Sequence, residues 1–284
     1  MSLLETTALG AIAGFTIYLG LPVGRLPATD DRLRVGLAMF SVGILAFIFM
    51  DVTTHAMEIL ETTLRNFKDH KAGFGSVLAR FFMLAVGVTV GTAGIAEFER
   101  RLRRRRAAVS PLVGGATTAA FATDEMTRLA IDRRRAALQT GMTIAAAIGV
   151  HNFAEGLAIG VSAKAGAIGL ATVLIIGFSL HNATEGFGIV GSLGGIHPSW
   201  RWLGLAGLVG GGPTFLGTLV GYQLHSDPLE LCSYALAGGA ILYVIGEIWG
   251  GVRSYGYRTL GLYLVAAGFL VGVATDLVVS YGGA

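Results

Sequence analysis

Eight runs of about 20 apolar residues divide this 284-residue chain, each long enough to cross the hydrocarbon core of a bilayer. They lie near 6–24, 35–57, 74–95, 137–163, 166–194, 200–224, 230–251 and 259–281. Inside lipid a segment must satisfy its own backbone hydrogen bonds, so open runs of this length fold as helices. Composition agrees: 53% of the residues are hydrophobic and 14% charged, where soluble domains carry about 25% charged residues. The chain reads as an all-α integral membrane protein, one transmembrane domain over 1–284. The 43 glycines belong to that reading. Small residues four apart, such as Gly10/Gly14, Gly20/Gly24, Gly87/Gly91, Gly156/Gly160, Gly217/Gly221 and Gly268/Gly272, let helix backbones approach, and internal packing is the expected use.

The basic residues give these spans a direction. Sixteen arginines lie in the connections after spans one, three, five and seven, from Arg25 to Arg258. The other connections hold only Arg65, Lys68, Lys71 and Lys164, and Arg80 lies inside the third span. The positive-inside rule then puts both termini outside and the 96–136 connection in the cytoplasm as an Arg-rich loop. Its clusters, Arg100–Arg106 without residue 102 and Arg133–Arg135, read as stop-transfer signals against anionic lipid rather than a nucleic-acid patch. The N-terminal segment carries Glu5 and no basic stretch ahead of its apolar run, so it reads as a retained helix. The location expected is the inner (cytoplasmic) membrane, multi-pass. Cys232 is the single cysteine, which excludes an internal disulfide or a thiolate cluster.

Against this apolar background one pattern occurs twice, His-Asn-x-x-Glu-Gly. The first copy is His151, Asn152, Glu155 and Gly156 in span four, and the second is His181, Asn182, Glu185 and Gly186 in span five. His and Glu four residues apart project from one helix stripe, bordered by Asn. Each motif falls near the middle of its span, and a short connection makes the two spans antiparallel neighbours. Two imidazoles, two carboxylates and two amide oxygens can therefore converge at one depth. Such polar groups are expensive in a membrane and are usually functional. The ligand types suit Zn²⁺, Fe²⁺, Mn²⁺, Co²⁺ or Cd²⁺, and the lack of thiolates disfavours Cu⁺.

The paired motifs resemble the span-four and span-five signatures of the ZIP (Zrt-/Irt-like) metal transporters, usually His-Asn-x-Pro-Glu-Gly. Eight helices, external termini and a long cytoplasmic connection after helix three also resemble that family, and the doubled His-Asn form is similar to prokaryotic members of broad specificity. The resemblance implies a main transport site at His151, Glu155, His181 and Glu185, with Asn152 and Asn182 joining the glutamates in an adjacent one. It implies a divalent metal, Zn²⁺ foremost, as cargo and no catalytic cofactor. A homodimer is left open. Two departures stand out: the family proline is Ala154 in one motif and Thr184 in the other, which predicts straighter helices. Where many members carry a helix-six glutamate just before a proline, this chain has Gly212-Pro213, which weakens a second metal position.

Asp51 and His55, with Glu58 a turn beyond, are candidates for a loading relay in span two. Glu247 in span seven resembles an acidic family position that receives the outgoing ion, with a salt bridge to Arg253 or Arg258 as the alternative. Arg80 and Asp276 are expected to pair, and Met39 and Met50 to serve packing. The leading function is a divalent metal transporter moving ions toward the cytoplasm, and not an enzyme. A membrane-embedded metallohydrolase and a non-transporting metal sensor are the alternatives, the first lacking any His-Glu-x-x-His pattern. The charge asymmetry makes a direct prediction. A cysteine at Ala116 should be shielded from impermeant thiol reagent in intact cells, and one at Ala284 should label; the reverse pattern would overturn the orientation.

Overall fold

The computed structural model describes the backbone of residues 1–26, 31–107, 118–224 and 226–283; side chains within 105–125 and at 254, 279, 282 and 283 are not among those described. Every regular element there is helical, and all eight spans read from the sequence are present. The first is α1 (Leu3–Phe15) continued by α2 (Ile17–Gly20) and a 3-10 turn to Arg25. The second is α3 (Asp31–Lys68); the third runs through α4 (Phe74–Thr89), a π turn and α5 (Ile95–Ala107). The fourth to eighth lie in α6 (Thr118–Lys164), α7 (Ile168–Gly191), α8 (Trp200–Gln223), α9 (Asp227–Val252) and α10 (Arg258–Gly283). The chain is thus a multi-pass membrane protein.

Local sequence explains where these helices start and stop. Ser2 and Glu5 form a reciprocal capping box on α1, and Ser199 caps α8 by accepting from Trp202 N–H. Between α6 and α7 the chain reverses through Gly166 at φ +81°, a left-handed conformation that a side chain would oppose. The 96–136 connection is helical further than a loop would be, since α5 carries it to Ala107 and α6 begins at Thr118. Good helix formers and pairs such as Glu97–Arg101 and Glu99–Arg103 at i, i+4 extend α5 beyond its apolar run. Residues 108–117, Ala116 included, lie outside the described residues, as does Ala284.

Packing divides the helices into two sets. α6 packs most extensively on α8, and α1 lies against α7 and α8; α3 packs on α9 and α10, and α4 on α9. The sets meet where α6 touches α9 and where α7 touches α3 and α10. Large apolar side chains such as Phe81, Phe82, Leu270 and Leu277 stay exposed on the outside, the surface a lipid would cover. The interior is close-packed, with Ile17, Ile44, Leu45, Ile144, Ile148 and Ile241 almost wholly buried.

All six glycine pairs pack inside the molecule. At the α6–α8 contact, a Cβ at Gly156 would meet the backbone of Thr214, and one at Gly217 the backbone of Phe153 and, at 2.9 Å, the nitrogen of Leu157. Main chain cannot swing aside as a side chain can. Gly217→Ala is therefore expected to lower stability by about 1–3 kcal/mol through overpacking. A methyl group at Gly204, in the same helix, would meet nothing within 4 Å, so Gly204→Ala should be neutral or gain up to about 1 kcal/mol from helix propensity. Thermal unfolding of both variants in detergent checks the contrast.

Candidate metal centre

The α6–α7 hairpin sets the depth of the two motifs. His151 lies thirteen residues before Lys164, where α6 ends, and His181 thirteen residues after Ile168, where α7 begins. Both are therefore about 20 Å along their helices from the turn. The helices are neighbours, so all six motif side chains arrive at one level. All six are buried, and His151, Asn152 and Asn182 are fully so.

Each motif presents two faces. Asn and Gly, four apart, look toward a packing partner, and His and Glu, also four apart, lie about 100° around the helix. On α6 the packing partner is α8: the Asn152 amide donates to the Gly210 carbonyl at 3.0 Å, and Gly156 seats the Thr214 backbone. On α7 the partner is the first span: the Asn182 amide donates to the Ala13 carbonyl at 3.0 Å, and Gly186 approaches the Gly20 backbone. The shared Asn and Gly thus do the same work against different helices. Thr184, at the position of the family proline, donates its hydroxyl to the His181 carbonyl at 2.7 Å, while its own carbonyl accepts from Ser41 of α3 at 2.9 Å. Neither α6 nor α7 breaks at its motif, as the missing prolines predicted.

On the remaining faces, His151 Nε2 lies 3.1 Å from Glu155 Oε1 and 3.8 Å from Glu185 Oε1. Asn152 also donates to Glu185 Oε2 at 3.2 Å, tying the two motifs together. His181 stands apart, its ring edge-on to Phe47 at 6.2 Å between centroids. Among the described residues, several buried atoms of this group have no hydrogen-bond partner: His151 Nδ1, Asn152 Oδ1, Glu155 Oε2, both ring nitrogens of His181, Asn182 Oδ1 and Glu185 Oε1. Buried polar atoms are normally satisfied, so this concentration marks a place built for something other than packing. All but the ring nitrogens that hold a proton are lone-pair donors. Among the described residues, however, no three His, Cys, Asp or Glu side chains form a ready metal cage. The donors are gathered but not closed.

The secondary candidates divide. Asp51 and His55 lie together, His55 Nδ1 donating to the Asp51 carbonyl at 3.0 Å and standing 3.6 Å from its carboxylate, with both side chains partly exposed. Phe47, one turn along α3 from Asp51, is the residue packed on His181. Glu58 is exposed. Glu247 forms no ion pair with Arg253 or Arg258 among the described residues; it lines a cavity of about 240 Å³ with Arg103, Thr140 and Ser192. Arg80 does not pair with Asp276 as expected: it reaches Asp227, at 3.2 Å, and the Thr63 hydroxyl, because α4 packs on α9 and not on α10. Met39 is buried in the core, whereas Met50 is exposed.

Sequence reasoning missed Glu99. It is 4% exposed and accepts from Arg103 at 2.6 and 3.1 Å and from the Tyr243 hydroxyl at 2.7 Å, with Thr140 Oγ 3.2 Å away. The π turn at Val90–Gly94, held by Thr92 donating to the Gly239 carbonyl, precedes α5 and sets the face it turns to α9. The available signal was the Glu99–Arg103 spacing, hidden in a run that looked solvated.

Residues 121–245, which carry this geometry, match the family described as ZIP Zinc transporter. This stretch is ZIP-family sequence. It contains both motifs, and the resemblance read from them is borne out. No curated protein matches the chain. This match supports a divalent metal transporter, with the metal as cargo rather than catalytic cofactor. The Glu99 cluster generates its own test. Tyr243→Phe removes a donor from a buried carboxylate and should cost about 1–3 kcal/mol in thermal unfolding. An unchanged melting temperature would mean that the contact is idle.

Proposed function

We propose that this ZIP-family chain carries divalent cations toward the cytoplasm through the site formed by His151, Asn152, Glu155, His181, Asn182 and Glu185. Zn²⁺ is the foremost cargo, with Fe²⁺, Mn²⁺, Co²⁺ and Cd²⁺ as further candidates. The observation that carries this reading is the set of partnerless nitrogen and oxygen donors buried between α6 and α7. Mixed imidazole, carboxylate and amide donors match these metals. An open arrangement also suits cargo better than a structural metal, since an ion must bind well enough to shed water and still leave.

Asp51 and His55 on α3 would load the site, one turn outward from the phenyl ring that contacts His181. Glu247 on α9, in its cavity toward the Arg-rich end of the bundle, would receive the ion on release. The distribution of arginine supports this direction, with both termini outside and the protein in the cytoplasmic membrane. α8 contributes no carboxylate at all, so only the two glutamates offset the charge of a dication. That favours one well-occupied ion over a bridged pair.

Uptake into proteoliposomes from a panel of divalent ions tests the proposal, and a parallel hydrolase screen tests the enzyme alternative. Removing either carboxylate leaves a dication facing half the negative charge in a desolvated site, a penalty on the order of several kcal/mol. Glu155→Ala and Glu185→Ala should each nearly abolish uptake, and the double variant should be little worse than either. His151→Ala and His181→Ala should be milder and shift preference toward Mn²⁺. A folded Glu155→Ala, Glu185→Ala double variant that still transports at the parent rate would sink the proposal. Binding without flux would leave a sensor.

A further inference from the structure

A second cavity, of about 470 Å³, opens where α3, α9 and α10 meet, away from the motif site. Arg253 and Arg258 line its rim with Trp249 and Tyr257, and its inner wall is apolar, formed by Met39 and Val252. Those two residues are nearly inaccessible, so the cavity reaches the packed core. Gly261 opposite Met39 helps keep the space open, since a Cβ there would come within 3.2 Å of Met39 Cγ.

The charges are distinctive. Many arginines on this chain are spoken for: Arg34 by Asp31, Arg100 and Arg101 by Glu97, Arg103 by Glu99. Arg253 and Arg258 are exposed and, among the described residues, form no ion pair. The Arg32 guanidinium lies on the same side, 5.7 Å from the Tyr257 ring centre. α10 begins at Arg258 with no acid in its first turn, so its first N–H groups lie at the same rim and favour an anion.

Position decides what kind of anion. The apolar span of α9 ends at Val252 and the next begins at Arg258, so the rim lies at the boundary between hydrocarbon and water. Trp and Tyr favour that level, as Trp249 and Tyr257 do here. The cavity falls in the range of about 300–1,000 Å³ typical of organic ligands, larger than a bare oxyanion needs. A cationic rim over an apolar inner wall is complementary to a headgroup joined to an acyl chain.

We propose that this cavity binds an anionic phospholipid, with Arg253 and Arg258 holding its phosphate and the chain lying against Met39 and Val252. The inference is independent of the transport reading, because it uses none of the motif residues and is read by lipid retention alone.

Native mass spectrometry of the full chain, purified with added phosphatidylglycerol or phosphatidylcholine, tests it. Phosphatidylglycerol should be retained preferentially. At about fivefold per basic side chain near a lipid surface, Arg253→Gln with Arg258→Gln should lower that preference by roughly 30-fold. An equal loss of charge elsewhere on the Arg-rich end, Arg133→Gln with Arg201→Gln, should leave it intact. Gly261→Leu keeps both arginines and fills the space beside Met39; it too should lower retention, with an unchanged elution profile showing that the fold persists. Equal retention of the two lipids would overturn the proposal, as would an equal loss in the control pair. Displacement by inorganic phosphate, mole for mole, would make this a free-anion site and overturn the lipid assignment.

Discussion

The structure rests on how closely α6 can approach α8. Where Gly156 and Gly217 stand, the facing main chains leave no room for a Cβ, and Gly160 and Gly221 repeat the arrangement one turn further. Lipid chains are as apolar as leucine, so helices in a membrane gain little by hiding oily side chains and associate through packing of this kind. The contact fixes the rotation of α6. With Asn152 and Gly156 committed to α8, His151 and Glu155 must turn toward α7, where the second motif meets them. A packing constraint on one face thus sets the chemistry on the next.

The same logic limits what surrounds the site. α7 is held from the first span through Asn182 and Gly186 and from α3 through Ser41, so the second motif is clamped on two sides. His181 meets a phenyl ring, and among the described residues its ring nitrogens have no hydrogen-bond partner. The ion-pair network at Glu99 lies apart from the motifs, toward the Arg-rich end, and joins α5 to α6 and α9 through Arg103, Thr140 and Tyr243. It links the two packing sets by polar contacts, as Ser41 of α3 does by donating to the Thr184 carbonyl of α7.

Much of this was legible in the sequence, and for definite reasons. Spans were readable because lipid demands long apolar runs, and the motif depths because the hairpin is short and both helices rise by the same amount per residue. The internal use of the glycine pairs followed from their spacing. What failed needed knowledge of which helix lies beside which. Arg80 finds Asp227 rather than Asp276 because α4 neighbours α9, a pairing that no local pattern encodes. Glu99 showed only its spacing from Arg103, because a π turn precedes its helix and burial of one glutamate within a basic run leaves no periodic trace. The partnerless atoms could not be foreseen either, since spacing says which side chains share a stripe and not which of their atoms are left over.

The two asparagine hooks have a further consequence. In each, the NH₂ end of the amide is occupied by a carbonyl of a neighbouring helix, which fixes which end of the side chain remains for the interior. Oxygen is left over, never nitrogen, so the pocket is tuned for one sign of charge by its scaffold as well as by its acids. Aspartate, nearly the same size, would add an acceptor yet could not hold the neighbour: ionised, it would set oxygen against oxygen at a fully buried position. At these two positions the more strongly ligating residue is the less admissible one, and that sets a boundary on how far such a site can drift toward harder, more highly charged coordination while its helices stay in register.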